Sequence, residues 1–121
     1  MKESILRDKS YAFAIKIVIT VKELQKEKKE FVLSKQLLRS GTAVGALISE
    51  AEFGQSKADF IHKLTIALKE ANETKYWLNL LNDTDYLSEK AFFEHHRDCM
   101  ELIKILVSSI KTLKSRHTSS S

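Results

Sequence analysis

Not one of the 121 residues is proline, and only three are glycine. A β-rich domain needs those residues at nearly every hairpin and tight turn, so this chain has few means of reversing direction. The fold class expected is therefore all-α. With 43% apolar and 30% charged positions the chain can bury one modest core, which makes a single domain over residues 1–116. It is too apolar and too weakly charged to remain unfolded. Cys99 has no partner within the chain, so no internal disulfide can form.

Hydrophobic periodicity divides the chain into four helices, at about 4–26, 32–53, 57–82 and 88–115, with 117–121 left as a disordered tail. The first helix is apolar around most of its circumference; only Lys9, Lys16, Thr20 and Glu23 form a wet stripe. One core-facing stripe needs little more than about 100° of arc, so a second apolar face remains. The third helix repeats this excess, because Ile66, Trp77, Leu80 and Leu81 point away from its main stripe. Large uncovered apolar surfaces mark partner contacts, and Ile15, Ile19, Trp77 and Leu80 are the residues expected to meet a second copy of the chain.

Several positions carry local structural meaning. In the second helix Ser34 reads as an N-cap. Gly41 and Gly45 stand four apart, a helix-packing face where each glycine costs about 1 kcal/mol relative to alanine unless a neighbouring helix approaches closely. Gly54 reads as the residue just past the end of that helix. Ser56 with Asp59 opens the third helix. On the fourth, Phe92, His96, Cys99, Ile103, Leu106, Ile110 and Leu113 form the inward stripe.

Four long helices joined by short connections pack as an antiparallel, up-down-up-down bundle. Charge is unevenly spread along them. Residues 1–39 carry ten Lys/Arg and five acids, residues 40–103 six and eleven, and residues 104–121 four and none. The topology would gather this positive charge at two ends, and Lys26, Lys28, Lys29, Lys111, Lys114 and Arg116 are the residues expected to contact phosphates of RNA or DNA.

Sites for chemistry are scarce. A di-metal carboxylate bundle needs paired Glu-x-x-His motifs, and the chain offers only Asp59-x-x-His62. His95 and Cys99 share a helix face, but two ligands do not close a metal site, and Cys99 falls on the apolar stripe as a small hydrophobe. No catalytic residue, metal or cofactor is expected. The candidate membrane span, Tyr11 to Val21, is interrupted by Lys16 and far shorter than about 18 residues, so no membrane association is expected. With no leader visible at Met1 to Lys9 and one free thiol, the expected location is the cytoplasm.

The order and spacing of Leu38-Arg39-Ser40, Ala43-Val44, Ile48-Ser49-Glu50-Ala51, Asp59-Phe60, Leu64-x-Ile66-Ala67 and Glu70-x-x-Glu73-Thr74 give the chain a family likeness. It resembles the bacterial four helix bundle proteins, also called ribosomal-RNA intervening-sequence proteins, some of which are encoded inside insertions of large-subunit rRNA genes. The resemblance implies a left-handed antiparallel bundle assembled as a homo-oligomer, commonly a pentamer. The similar accessory variability proteins of diversity-generating retroelements imply binding to nucleic acid and to a reverse transcriptase. The function expected is thus a non-enzymatic, oligomeric, nucleic-acid-associated or adaptor protein. The alternatives are a protein-interaction module without nucleic acid and a metal enzyme built on Asp59, His62, His95 and Cys99.

Overall fold

The computed structural model describes residues 2–120, with side chains described for residues 5–116. Among these residues there are four α-helices and no strand: α1 (Lys2–Glu27), α2 (Leu33–Ala51), α3 (Lys57–Asp83) and α4 (Glu89–Ser120). The backbone of α4 is helical five residues beyond the expected end at 115; the side chains of the expected tail, 117–121, lie outside the described residues.

Each helix packs on two neighbours, α1 on α2 and α4, α3 on α2 and α4, which makes a four-helix bundle. Side-chain partners fix the directions. Along α1 and α2 the meeting points are Arg7 with Glu52, Ile17 with Gly41 and Gln25 with Ser34. Along α1 and α4 they are Lys9 with Glu101, Lys16 with Asp98 and Thr20 with His95. Numbers rise on one helix as they fall on the other, so these neighbours run antiparallel. Arg39 with Glu70, and Lys63 with Glu50, repeat the pattern between α2 and α3.

The core is aliphatic: Phe13 and Ile17 from α1, Leu37 and Val44 from α2, Leu64 and Leu78 from α3, Leu102 and Leu106 from α4 are almost wholly buried. Two glycines bring α1 and α2 together. A Cβ on Gly41 would stand 3.0 Å from the Cγ2 of Ile17, and one on Gly45 would stand 3.3 Å from the carbonyl oxygen of Ser10.

Four local expectations need correction. Thr20 is not part of a wet stripe: it is buried, and with Lys9 and Lys16 it faces α4. On α4 the buried histidine is His95, one position and about 100° round the helix from His96, which is half-buried beside the Phe92 ring at 5.2 Å. Ser34 lies inside the first turn of α2; the N-cap is Val32, whose side chain accepts nothing. Gly54 has no left-handed backbone. It is needed for space, since a Cβ there would stand 3.0 Å from the Asp59 carboxylate and 3.1 Å from the Ala51 carbonyl. The Ser56 cap is present, its side chain accepting the Asp59 N–H at 3.1 Å.

Gly41 yields a test in which two effects oppose. Alanine is the better helix former by about 1 kcal/mol, but overpacking against a β-branched core residue costs about 1–3 kcal/mol. Ile17 is fully buried and cannot swing aside. Urea denaturation of Gly41→Ala is expected to show a net loss of about 1 kcal/mol; a gain would mean that α1 and α2 separate freely.

Candidate nucleic-acid interface

The antiparallel order carries the expected basic residues to opposite ends of the bundle. Lys26, Lys28 and Lys29 are exposed where α1 ends, and Lys28 lines a groove of about 360 Å³ with Glu23, Leu24 and Glu27 of α1 and with Tyr86 and Leu87 of the neighbouring α3–α4 turn. Lys111, Lys114 and Arg116 are exposed on the last turns of α4, at the end where α1 begins. The structure therefore does not bring all six together; it makes two groups of three.

The first group sits on a turn of defined construction. The N–H groups of Lys28 and Glu30 both reach the Leu24 carbonyl, at 3.1 and 3.2 Å. Between them Lys29 adopts φ 54°, left-handed backbone that favours glycine. Glu30 then folds inward, and its carboxylate accepts the N–H groups of Val32, Leu33 and Ser34 at 3.2, 3.1 and 2.7 Å. It thereby caps α2 in place of the Val32 side chain. Burial alone would raise the Glu30 carboxyl, but the bonds from Ser34, Leu33 and Val32 outweigh it and hold the group below its ordinary value. The next two side chains point outward: Phe31 is 55% and Val32 73% exposed. Lys35, one turn along α2, is exposed as well. Sequence reading missed Phe31, Val32 and Lys35 as surface residues, because an apolar pair at a helix start reads as core.

Several acidic groups of the middle of the chain are engaged, whereas Asp83, Asp85 and Glu89 are exposed around the α3–α4 turn, at the same end as Lys26, Lys28 and Lys29. Glu52 meets Arg7, Glu101 meets Lys9, and Glu94 and Asp98 meet Lys16. Arg39 bridges Glu70 and Glu73. Among the described residues Lys26, Lys28, Lys29, Lys111 and Arg116 take part in no such pair. A basic column missed in the sequence also lies on α4, where Lys90, Arg97, Lys104 and Lys111 are all exposed and recur every seven residues. That spacing, nearly two helical turns, was the available signal.

The residues with potential chemistry are dispersed. Cys99 donates to the Ala71 carbonyl at 3.3 Å, and burial pushes its thiol up to about 12. His95 lies against Thr20 with 2.6 Å between Nε2 and Oγ1, and its Nδ1 is left without a partner. His62 is exposed on α3, while Asp59 lies near Gly54 at the start of that helix. No three His, Cys, Asp or Glu side chains among the described residues converge as a metal-holding group. No helix among them is long and apolar enough to cross a membrane.

Of the four expected contact residues, Ile15 and Ile19 are 46% and 52% exposed. With Tyr11 they form a ridge on the outer side of α1. Trp77 and Leu80 are half-buried, and Trp77 packs against the core.

The model of the 23S rRNA-intervening sequence protein family matches residues 2–108. The chain belongs to that family. Within the intervening-sequence protein fold it is similar to a crystal structure from Bacteroides thetaiotaomicron VPI-5482, described as a protein of unknown function from the S23 ribosomal protein family. The two are 55% identical, with a TM-score of 0.90, over 92% of this chain and 99% of the other. No match was found among the curated proteins.

In this intervening-sequence protein the seam beside the basic turn is pH-sensitive. Burial pushes the His95 imidazole below its ordinary value of 6.5, with Lys16 acting in the same direction and Glu94, Asp98 and Glu23 opposing. As pH falls through 6.5 the unfolded chain takes up this proton before the folded one does, so stability is full above that value and declines below it. Urea midpoints should fall between about pH 7.5 and 5.5, and His95→Asn should flatten that interval. The depressed carboxylates, Glu30 and Asp98 among them, lose their contribution only at more acid pH.

Proposed function

We propose that this protein acts without catalysis, as a homo-oligomeric bundle in the cytoplasm that associates with nucleic acid through its basic ends. The observation that carries the reading is the sorting of charge. Glu70, Glu73, Asp98 and Glu101 are held in helix-to-helix pairs, whereas the lysines and Arg116 at the ends face solvent. Such groups bind phosphates by displacing counterions and need no base-specific contact.

The ridge of Tyr11, Ile15 and Ile19 supports self-association, since two β-branched aliphatic residues and a tyrosine stand side by side in water. A pentamer, the assembly implied by the family resemblance, would multiply the formal charge of +4 to about +20. Repetition around a ring also lets weak phosphate contacts act together.

Light scattering at micromolar concentration is expected to give a mass several times 13.9 kDa. Ile15→Glu with Ile19→Glu should lower it toward one chain while leaving the helical spectrum unchanged. Titration with RNA and DNA should show binding that weakens roughly ten-fold or more between about 50 and 200 mM salt. A 13.9 kDa species would remove the assembly. Absence of binding at low salt, or binding indifferent to salt, would remove the nucleic-acid reading and favour a protein-interaction module.

A further inference from the structure

We infer that the α1–α2 turn grips single-stranded nucleic acid: Phe31 stacks on an unpaired base while Lys26, Lys28, Lys29 and Lys35 hold phosphates of the same strand. The inference rests on the nucleic-acid reading above and narrows it to one end of the bundle and one class of ligand.

Three independent features of the turn converge. Phe31 and Val32 project from its tip into solvent, although the core lies one helical turn away. Four exposed lysines, Lys26, Lys28, Lys29 and Lys35, flank them in the chain; of the two acids in that stretch Glu30 is turned inward and occupied with three backbone N–H groups, and Glu27 is exposed. The tip therefore shows two apolar side chains and an excess of lysines, four against the one exposed acid of the stretch.

Lys29 supplies the third feature. Its left-handed φ of 54° is a conformation in which glycine is unstrained and asparagine or aspartate is common. The α3–α4 turn at the same end of the bundle has the usual solution, Asp85 at φ 65°. A lysine in the strained position adds a charge at the tip where the backbone would prefer a smaller residue.

A duplex cannot use this arrangement well. Its base faces are stacked inside, and the deep, narrow major groove of A-form RNA excludes a blunt helical hairpin. A single strand offers both parts at once, an open base face for an aromatic ring and a flexible row of phosphates for the lysines. The opposite end also has an exposed aromatic, Phe53 on the α2–α3 turn, but Phe53 lines a pocket with Glu50 and Asp59, carboxylates that would repel a phosphate strand.

The test is fluorescence anisotropy of the full chain with labelled U20, with an RNA hairpin duplex of equal charge, and with vesicles containing phosphatidylserine. The wild-type protein should bind U20 more tightly than the duplex. Phe31→Ala should weaken U20 binding about ten-fold and leave duplex binding unchanged. Phe31→Trp should retain binding, and its added indole fluorescence should be quenched by U20. Lys29→Gly should unfold at equal or higher urea concentration yet bind U20 several-fold more weakly, which separates the role of the charge from that of the fold. Undiminished U20 binding by Phe31→Ala, or preference for the duplex, overturns the inference and leaves the broader reading standing. Failure of both RNAs at low salt overturns both. Vesicle binding without U20 binding also overturns it and assigns the tip to anionic lipid.

Discussion

The rotation of α1 about its own axis decides what this bundle shows to its surroundings, and a polar seam sets that rotation. The helix is apolar nearly all round, so hydrophobic burial alone would accept several orientations. Polar groups are less permissive. Lys16 donates to Asp98 at 2.8 Å, Lys9 reaches Glu101 at 3.0 Å, and buried Thr20 meets buried His95. Turning α1 by one residue, about 100°, would strand His95 beside an aliphatic neighbour and take Lys16 away from its acids. Asp98 shows how well the seam is matched. Burial alone would raise its carboxyl, but hydrogen bonds from Lys16 and Arg97 hold it below the ordinary value. With α1 locked in this way, Tyr11, Ile15 and Ile19 have nowhere to point but outward.

The same economy of partners shapes the ends. Charges in the middle of the bundle lie within reach of a facing helix and find opposite charges there, as Arg39 finds Glu70 and Glu73. At the ends there is no facing helix. Lysines there remain in water, which is where a long cationic side chain is most comfortable and also where a phosphate can reach it. Glu30 is the exception that sharpens the pattern. Withdrawn into the α2 cap, it leaves Lys28 and Lys29 exposed with Glu27 as the adjoining acid. The stretch Lys28 to Glu30, two lysines and a glutamate, is more lopsided in space than in the sequence.

The number of the helices and the limits of α1, α2 and α3 were readable from proline-free periodicity, and the Ser56 cap from its side-chain type, because these depend on interactions within a few residues; the end of α4 was not. Exposure of Ile15 and Ile19 followed from counting apolar arc against what one core can cover. The environment of the polar residues did not follow. Thr20 reads as wet because nothing in α1 itself announces that His95, on α4, will stand opposite. His96 was preferred over His95 because the two lie on adjacent arcs and only the facing threonine distinguishes them. Ser34 has the side chain of a cap but not its place, since Glu30 reaches the same N–H groups from outside the helix. The tip was illegible for a related reason: apolar residues beside a cap are normally folded in, and only coordinates reveal that Phe31 is not.

The placement of the outward apolar residues bears on the form that assembly takes. The ridge on α1 is Tyr11, Ile15 and Ile19; a second set, Phe93, Met100 and Val107, recurs every seven residues on α4. Phe93 and Val107 are exposed, and the column Lys90, Arg97, Lys104 and Lys111 runs beside them. A two-fold dimer buries one patch against its own copy, and would leave the other patch in water. Joining the α1 ridge of one copy to the α4 set of the next covers both with a single kind of contact. Repetition of that contact generates a ring if the rotation closes. Such a ring would present its α1–α2 turns at equivalent positions, so that each copy adds a lysine-rich tip to the same repeating surface.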